Sequence, residues 1–94
     1  MHVKWLRTAL RNLDAEAGFI AEDDPEAARV VVERVLTAVA MLVAQPGLGR
    51  PGRAANTREL VVRGTRYIVP YRVRGDNVEV LRVFHTSRRL PGKR

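Results

Sequence analysis

The stretch RELVVRGTRYIVPYRVR, residues 58–74, decides the fold. Apolar and polar side chains alternate through it, which is the period of a strand with one buried face. Arg58 to Arg63 reads as one strand and Arg66 to Arg74 as its return, with Tyr67, Val69, Tyr71 and Val73 on one face. Gly64-Thr65 between them has glycine first, the signature of a type II′ hairpin turn. Pro70 cannot donate to a ladder, so it predicts a bulge or an outward-facing edge position. Gly75-Asp76-Asn77 turns the chain again. Val78 to Phe84 then reads as a last long strand, apolar on both faces and therefore central.

Upstream, the period is 3.6. Gly47 to Asn56 is a basic loop rich in glycine. Before it, Ala28, Val31, Val32, Val35, Val39, Leu42 and Val43 line one wide face of a helix that starts at Pro25 and ends before Pro46-Gly47. Asp24 suits the N-cap, Pro25 the first turn, and Glu26 the positive end of the helix dipole. The valines disfavour helix intrinsically, but period and cap outweigh them. An earlier helix over residues 6–21 carries Leu6, Ala9, Leu10, Leu13, Ala17 and Ile20 at intervals of three and four. Val3 and Trp5 alternate with Lys4 as a short first strand. The predicted architecture is a two-layer α+β fold, β-α-α-β-β-β. An antiparallel helical hairpin packs on one face of a mostly antiparallel sheet, within one domain of residues 1–94. The other sheet face is left open, and with the loop over 47–56 it should collect the arginines.

The chain has 94 residues, no cysteine and a net charge of +7. Disulfides and thiolate metal sites are excluded. No metal and no cofactor is expected, because no ligand cluster or phosphate-binding loop is present. Gly47, Gly49 and Gly52 lack the preceding strand and the following Gly-Lys-Ser/Thr that such a loop needs. The N-terminus lacks the apolar region of a signal peptide. The apolar run Val35 to Ala44 is too short to span a bilayer, so a cytoplasmic protein with no membrane partner is expected. The charge is uneven. Residues 1–56 hold seven basic and seven acidic groups, whereas residues 57–94 hold ten and three. Concentrated basic charge attracts nucleic acid or an acidic protein, although arginines also simply solvate small domains.

Several stretches resemble the toxins of the RelE/ParE superfamily. They are Asp24-Pro25-Glu26-Ala27-Ala28 at the helix start, Pro46-Gly47-Leu48-Gly49-Arg50-Pro51-Gly52-Arg53 in the loop, and Thr57 to Val62 with Gly64 to Val73 in the strands. Val80-Leu81-Arg82-Val83-Phe84-His85-Thr86-Ser87-Arg88-Arg89 at the end also matches. The resemblance implies the toxin of a type II toxin–antitoxin (plasmid stabilisation) module, held inactive by a cognate antitoxin that wraps the helical hairpin and the sheet. One branch poisons DNA gyrase; the other cleaves mRNA in the ribosome. Fold alone does not decide between them.

Metal-independent RNA cleavage needs a base, cations for the phosphorane and an acid. Glu59 is the candidate base. Arg58, Arg66, Arg72 and Arg82 are candidate clamps, and His85 the candidate acid because imidazole titrates nearest neutrality. Spacing opposes this set. Arg58 and Glu59 fall on opposite faces of one strand, and Arg82 and His85 are three apart. RelE-like nucleases carry an inner arginine between the two third-strand tyrosines, but here Ile68, Val69 and Pro70 separate Tyr67 from Tyr71. The resemblance is therefore nearer the ParE-like branch, which acts by binding. In that reading Arg50, Arg53, Arg58, Arg66, Arg72, Arg82, Arg88 and Arg89 are the contact residues for target or antitoxin. A basic nucleic-acid-binding module without toxicity is the remaining alternative. Glu59 is expected to pair with Arg63 or Arg66, the tyrosines and Trp5 to pack in the core, and Ser87 has no assigned role.

Overall fold

The computed structural model describes residues 1–87. Its elements are β1 (His2–Trp5), α1 (Arg7–Ala21), α2 (Pro25–Ala40), β2 (Arg50–Pro51), β3 (Arg58–Val61), β4 (Tyr67–Arg74), β5 (Asn77–Val80) and β6 (Phe84–His85). The strands form one sheet in the order β1-β5-β4-β3-β2, with β6 beside β4. β1 is parallel to β5 and every other pair is antiparallel. The expected α+β fold is observed: two helices packed against a mostly antiparallel sheet.

The helices begin and end for local reasons. The Asp24 carboxylate accepts a hydrogen bond from the Ala27 N–H at 3.1 Å, and Pro25 opens α2. Arg29 pairs with Glu33 at 2.6 Å one turn on, and with Glu26 one turn back. α2 stops at Ala40 and tightens into a 3₁₀ turn over Met41–Val43, so its α-geometry ends earlier than the apolar pattern suggests. Ala9 and Leu13 from α1, with Val35, Val39 and Leu42 from α2 and the following turn, meet Leu60, Tyr67, Val69, Tyr71, Val78 and Val80 from the sheet. Each such aliphatic side chain contributes about 1.5–3 kcal/mol on full burial. Val73 continues the row of Val69 and Tyr71 but is 44% exposed, because the core ends before it.

The strand connections depart from the expectation in three places. The basic loop contains β2, which pairs Arg50 with Glu59 and Pro51 with Arg58. The turn at Gly64 is not a two-residue type II′ turn. The Thr65 N–H donates to Val62 O, and Gly64 sits third in that turn with φ +77°. Thr65 Oγ1 donates to Val62 O and accepts from the Tyr67 N–H, so four residues separate the paired Val62 and Tyr67. The tight two-residue loop with glycine first occurs instead at Gly75-Asp76, where Gly75 has φ +58° and Arg74 pairs with Asn77.

The third departure concerns the last strand, which is interrupted. Tyr71 opposes Val80, yet Ile68 opposes Phe84, so one extra residue lies on the C-terminal side. The N–H groups of Leu81 and Arg82 both donate to Pro70 O, at 2.9 and 3.4 Å. This is a β-bulge. The polar groups of Pro70 face it, so the missing N–H falls where the ladder is already broken.

Candidate functional site

The face of the sheet away from the helices can be mapped from register. Val61, Ile68 and Phe84 form one cross-strand row. Arg50, Glu59 and Pro70 form the next. Arg72, Glu79 and Lys4 form a third, and Arg74, Asn77 and His2 a fourth. An apolar end therefore grades into a basic end.

Two carboxylates organise the arginines. Glu59 is 7% exposed, with Arg50 Nη2 at 3.4 Å and Arg53 Nε at 3.8 Å. Glu79 is 6% exposed, with Arg72 Nε at 2.6 Å and Arg74 Nε at 3.9 Å. The hydrogen bond from Arg72 holds the Glu79 carboxyl below the ordinary carboxylate range. Burial opposes that shift, and the charges of Arg72, Arg74 and Lys4 add to it. Arg53 also lies over the Phe84 ring, its Cζ 5.7 Å from the centroid, a cation–π geometry. Glu59 thus pairs with the β2 loop rather than with Arg63 or Arg66. Each carboxylate fixes two guanidinium groups and cancels one of their charges, so each cluster keeps a preorganised net positive charge.

The proposed nuclease residues are not gathered. Glu59 belongs to the open face and is enclosed by arginines. Arg82 is exposed beside Pro70 at the bulge. His85 pairs in register with Tyr67, which is on the helix side, and the two rings meet edge to face at 5.1 Å. Its Nδ1 lies 2.7 Å from Ser87 Oγ and 3.1 Å from Ser87 N. The bulge comprises Leu81 and Arg82 and the chain alternates regularly after it, so Arg82 and His85 stay on opposite sides. Arg58 also leaves the open face. It shares a face with Leu60, and its guanidinium donates to Gly49 O at 2.8 Å and Gly47 O at 3.4 Å. Arg66 is exposed in the β3–β4 loop. Arg88 and Arg89 lie outside the described residues.

Sequence reasoning missed the hydroxyl of Tyr71. The ring is fully buried, as expected, but its O–H donates to Pro46 O at 2.7 Å and accepts from the Gly49 N–H at 2.8 Å. A Cβ on Gly49 would lie 2.7 Å from Tyr71 Cε1, so only glycine fits this approach. Tyr71 and Arg58 together fasten the loop that delivers Arg50 and Arg53 to Glu59. The Arg72–Glu79 pair was also missed, although a two-residue hairpin at Gly75-Asp76 places those residues opposite each other.

Comparison with known proteins agrees with this architecture. The model of the ParE toxin of type II toxin–antitoxin systems, parDE, matches residues 3–90. The toxin candidate Y4kP of Sinorhizobium fredii is 47% identical over 89 residues, spanning 95% of this chain and 92% of that protein. A chain of the chromosomal ParDE toxin–antitoxin system from P. aeruginosa superposes with a TM-score of 0.80 at 32% identity, covering 90% of this chain and 95% of its own. A chain of the RelBE2 toxin–antitoxin complex from Mycobacterium tuberculosis does so with a TM-score of 0.58 at 30% identity, covering 89% and 88%. Among the described residues no helix is long and apolar enough to cross a membrane. With the family model spanning nearly the whole sequence and a relative this similar end to end, the chain belongs to the ParE toxin family of type II toxin–antitoxin systems.

Proposed function

We propose that this chain acts in the cytoplasm as a ParE-like toxin that inhibits DNA gyrase by binding, and that a cognate antitoxin neutralises it. The observation that carries the reading is the separation of the candidate acid and base. Glu59 is held by Arg50 and Arg53 on the open face, while His85 packs against Tyr67 on the opposite face. Proton transfer needs both groups within hydrogen-bond reach of one substrate. A surface of fixed arginines around an aromatic ring suits protein contact instead, since arginine and aromatic residues are enriched at interface hot spots. On this reading Arg50, Arg53, Arg72 and Arg82 are the principal contacts. A supercoiling assay with purified gyrase tests it. Inhibition is expected, and full supercoiling activity in the presence of excess folded toxin refutes it.

A second reading, ribosome-dependent mRNA cleavage, draws support from the likeness to the RelBE2 complex. It requires Glu59, Arg82 and His85 to act together. His85→Ala and Arg82→Ala variants that fold normally and arrest growth as strongly as the parent chain exclude it.

A further inference from the structure

The two rows at the basic end of the open face differ from the rest of it. Arg72, Glu79 and Lys4 form one, Arg74, Asn77 and His2 the other, and no apolar side chain stands in either. Val73, the exposed valine between them in sequence, belongs by register to the helix side with Val3 and Val78. Three cations meet one carboxylate here. Arg72 donates to Glu79 from Nε at 2.6 Å, and Arg74 approaches it with Nε at 3.9 Å. A guanidinium has five N–H donors, so contact through Nε leaves terminal nitrogens of both groups for another anion. After the Arg72 hydrogen bond, the charges of Arg72, Arg74 and Lys4 help hold the Glu79 carboxyl low, so Lys4 belongs to the same cluster. Asp76, in the turn beyond, faces the Met1 amino group at 3.7 Å. The Arg74 side chain is 65% exposed and Lys4 is exposed as well, so the surplus charge stands in solvent.

Spacing and composition select an occupant. Arg72 and Arg74 are two residues apart on one strand, ~6.8 Å, and Lys4 lies two strands from Arg72, ~10 Å away. Over ~10 Å of axis, one strand of a DNA duplex carries about three phosphates. Rows without apolar side chains lack the hydrophobic centre of a protein interface, whereas protein–DNA interfaces are more polar and far more positive. A single strand held by base stacking is disfavoured too. Phe84, the aromatic side chain of the open face, lies at the other end and under Arg53. What remains is contact with phosphates alone, which positions a duplex without reading its sequence.

We propose that Lys4, Arg72 and Arg74 form a phosphate site through which the basic end of the sheet holds duplex DNA, independent of sequence. Glu79 holds the two guanidinium groups in place before the duplex arrives. Apart from Arg72, the site is separate from the proposed protein contacts at Arg50, Arg53 and Arg82. A chain engaged at both ends would sit where a DNA-bound enzyme meets its duplex. The inference rests on the gyrase reading only for the choice of DNA over RNA. Phosphate binding itself does not depend on it.

The test uses the purified chain and a fluorescent DNA duplex of about 20 base pairs, with anisotropy read between about 50 and about 200 mM salt. Binding is expected, with the three contacts contributing a slope of about −3 in log affinity against log salt. Lys4→Gln and Arg74→Gln, both at exposed positions, should each make the slope shallower by about 1 and weaken binding about tenfold at the lower salt. Arg11→Gln removes the same charge from an exposed position on α1 and should leave the slope as it was. No binding at the lower salt, slopes unchanged in both sheet variants, or an equal loss in Arg11→Gln overturns the proposal. So does tighter binding of an RNA duplex of the same length, or of a polyglutamate peptide of equal charge. A chain that inhibits supercoiling without binding duplex DNA refutes this site and keeps the gyrase reading. One that binds DNA through Lys4 and Arg74 but leaves gyrase fully active does the reverse.

Discussion

Tyr71→Phe removes one oxygen from the centre of the molecule, and its cost can be worked out from what that oxygen does. The hydroxyl accepts from the Gly49 N–H at 2.8 Å and donates to Pro46 O at 2.7 Å. Gly49 is buried, so its N–H is left without a partner. A stranded buried donor costs about 1–3 kcal/mol. Pro46 is only part-buried and its carbonyl can turn to water, which limits its share to about 1 kcal/mol. The sum is about 2–4 kcal/mol, a large part of the stability of a small domain. For a chain of this size it corresponds to a fall in Tm of roughly 10–30 °C. Thermal and urea unfolding followed by circular dichroism measure it, with an unchanged m-value expected because the core is untouched. A loss below about 0.5 kcal/mol would show that the hydroxyl does not fasten the loop, and the reasoning would fail.

Other perturbations follow from the same geometry. Asp24→Ala removes the carboxylate that caps α2 and should destabilise by about 1 kcal/mol in urea unfolding, whereas Asp24→Asn should be nearly neutral. Gly64→Ala should cost more than about 1 kcal/mol in the same assay. The residue has φ +77°, a conformation strained for any L side chain, and the added Cβ would also displace the Arg34 guanidinium. Glu79→Gln should make stability less dependent on pH in acid. The folded-state pKa of Glu79 is lowered, so its pairing with Arg72 stabilises above the ordinary carboxylate range and is lost as pH falls through the folded value. Wild type should therefore exceed the variant in Tm at neutral pH and lose that advantage as acid protonates the folded-state carboxylate.

The fold was legible because the helical periodicity that follows the short first strand gives way to alternation at the glycine-rich loop. The Asp24-Pro25 start of α2 and the buried face of Tyr67, Val69 and Tyr71 needed nothing more. What escaped was geometry set by tertiary contact. Nothing local distinguishes Tyr71 as a hydrogen-bonding clasp from a tyrosine that merely fills space, because Gly49 and Pro46 lie more than twenty positions away. Glu59 was expected to pair with near neighbours in sequence, but β2 brings Arg50 and Arg53 closer. Pro70 did announce a bulge, though not that the extra residue would sit on the opposing strand.

That extra residue sets the parity of everything after it. With the bulge, Phe84 opposes Ile68 on the open face and His85 opposes Tyr67 beneath it. Were the strand to run on without the bulge and with every residue kept, Val83 would come opposite Ile68 on the open face and Phe84 would turn beneath the sheet opposite Tyr67. The bulge thus keeps Arg82 beside Pro70 and Phe84 beneath the Arg53 guanidinium, so one local irregularity decides which side chains that surface displays.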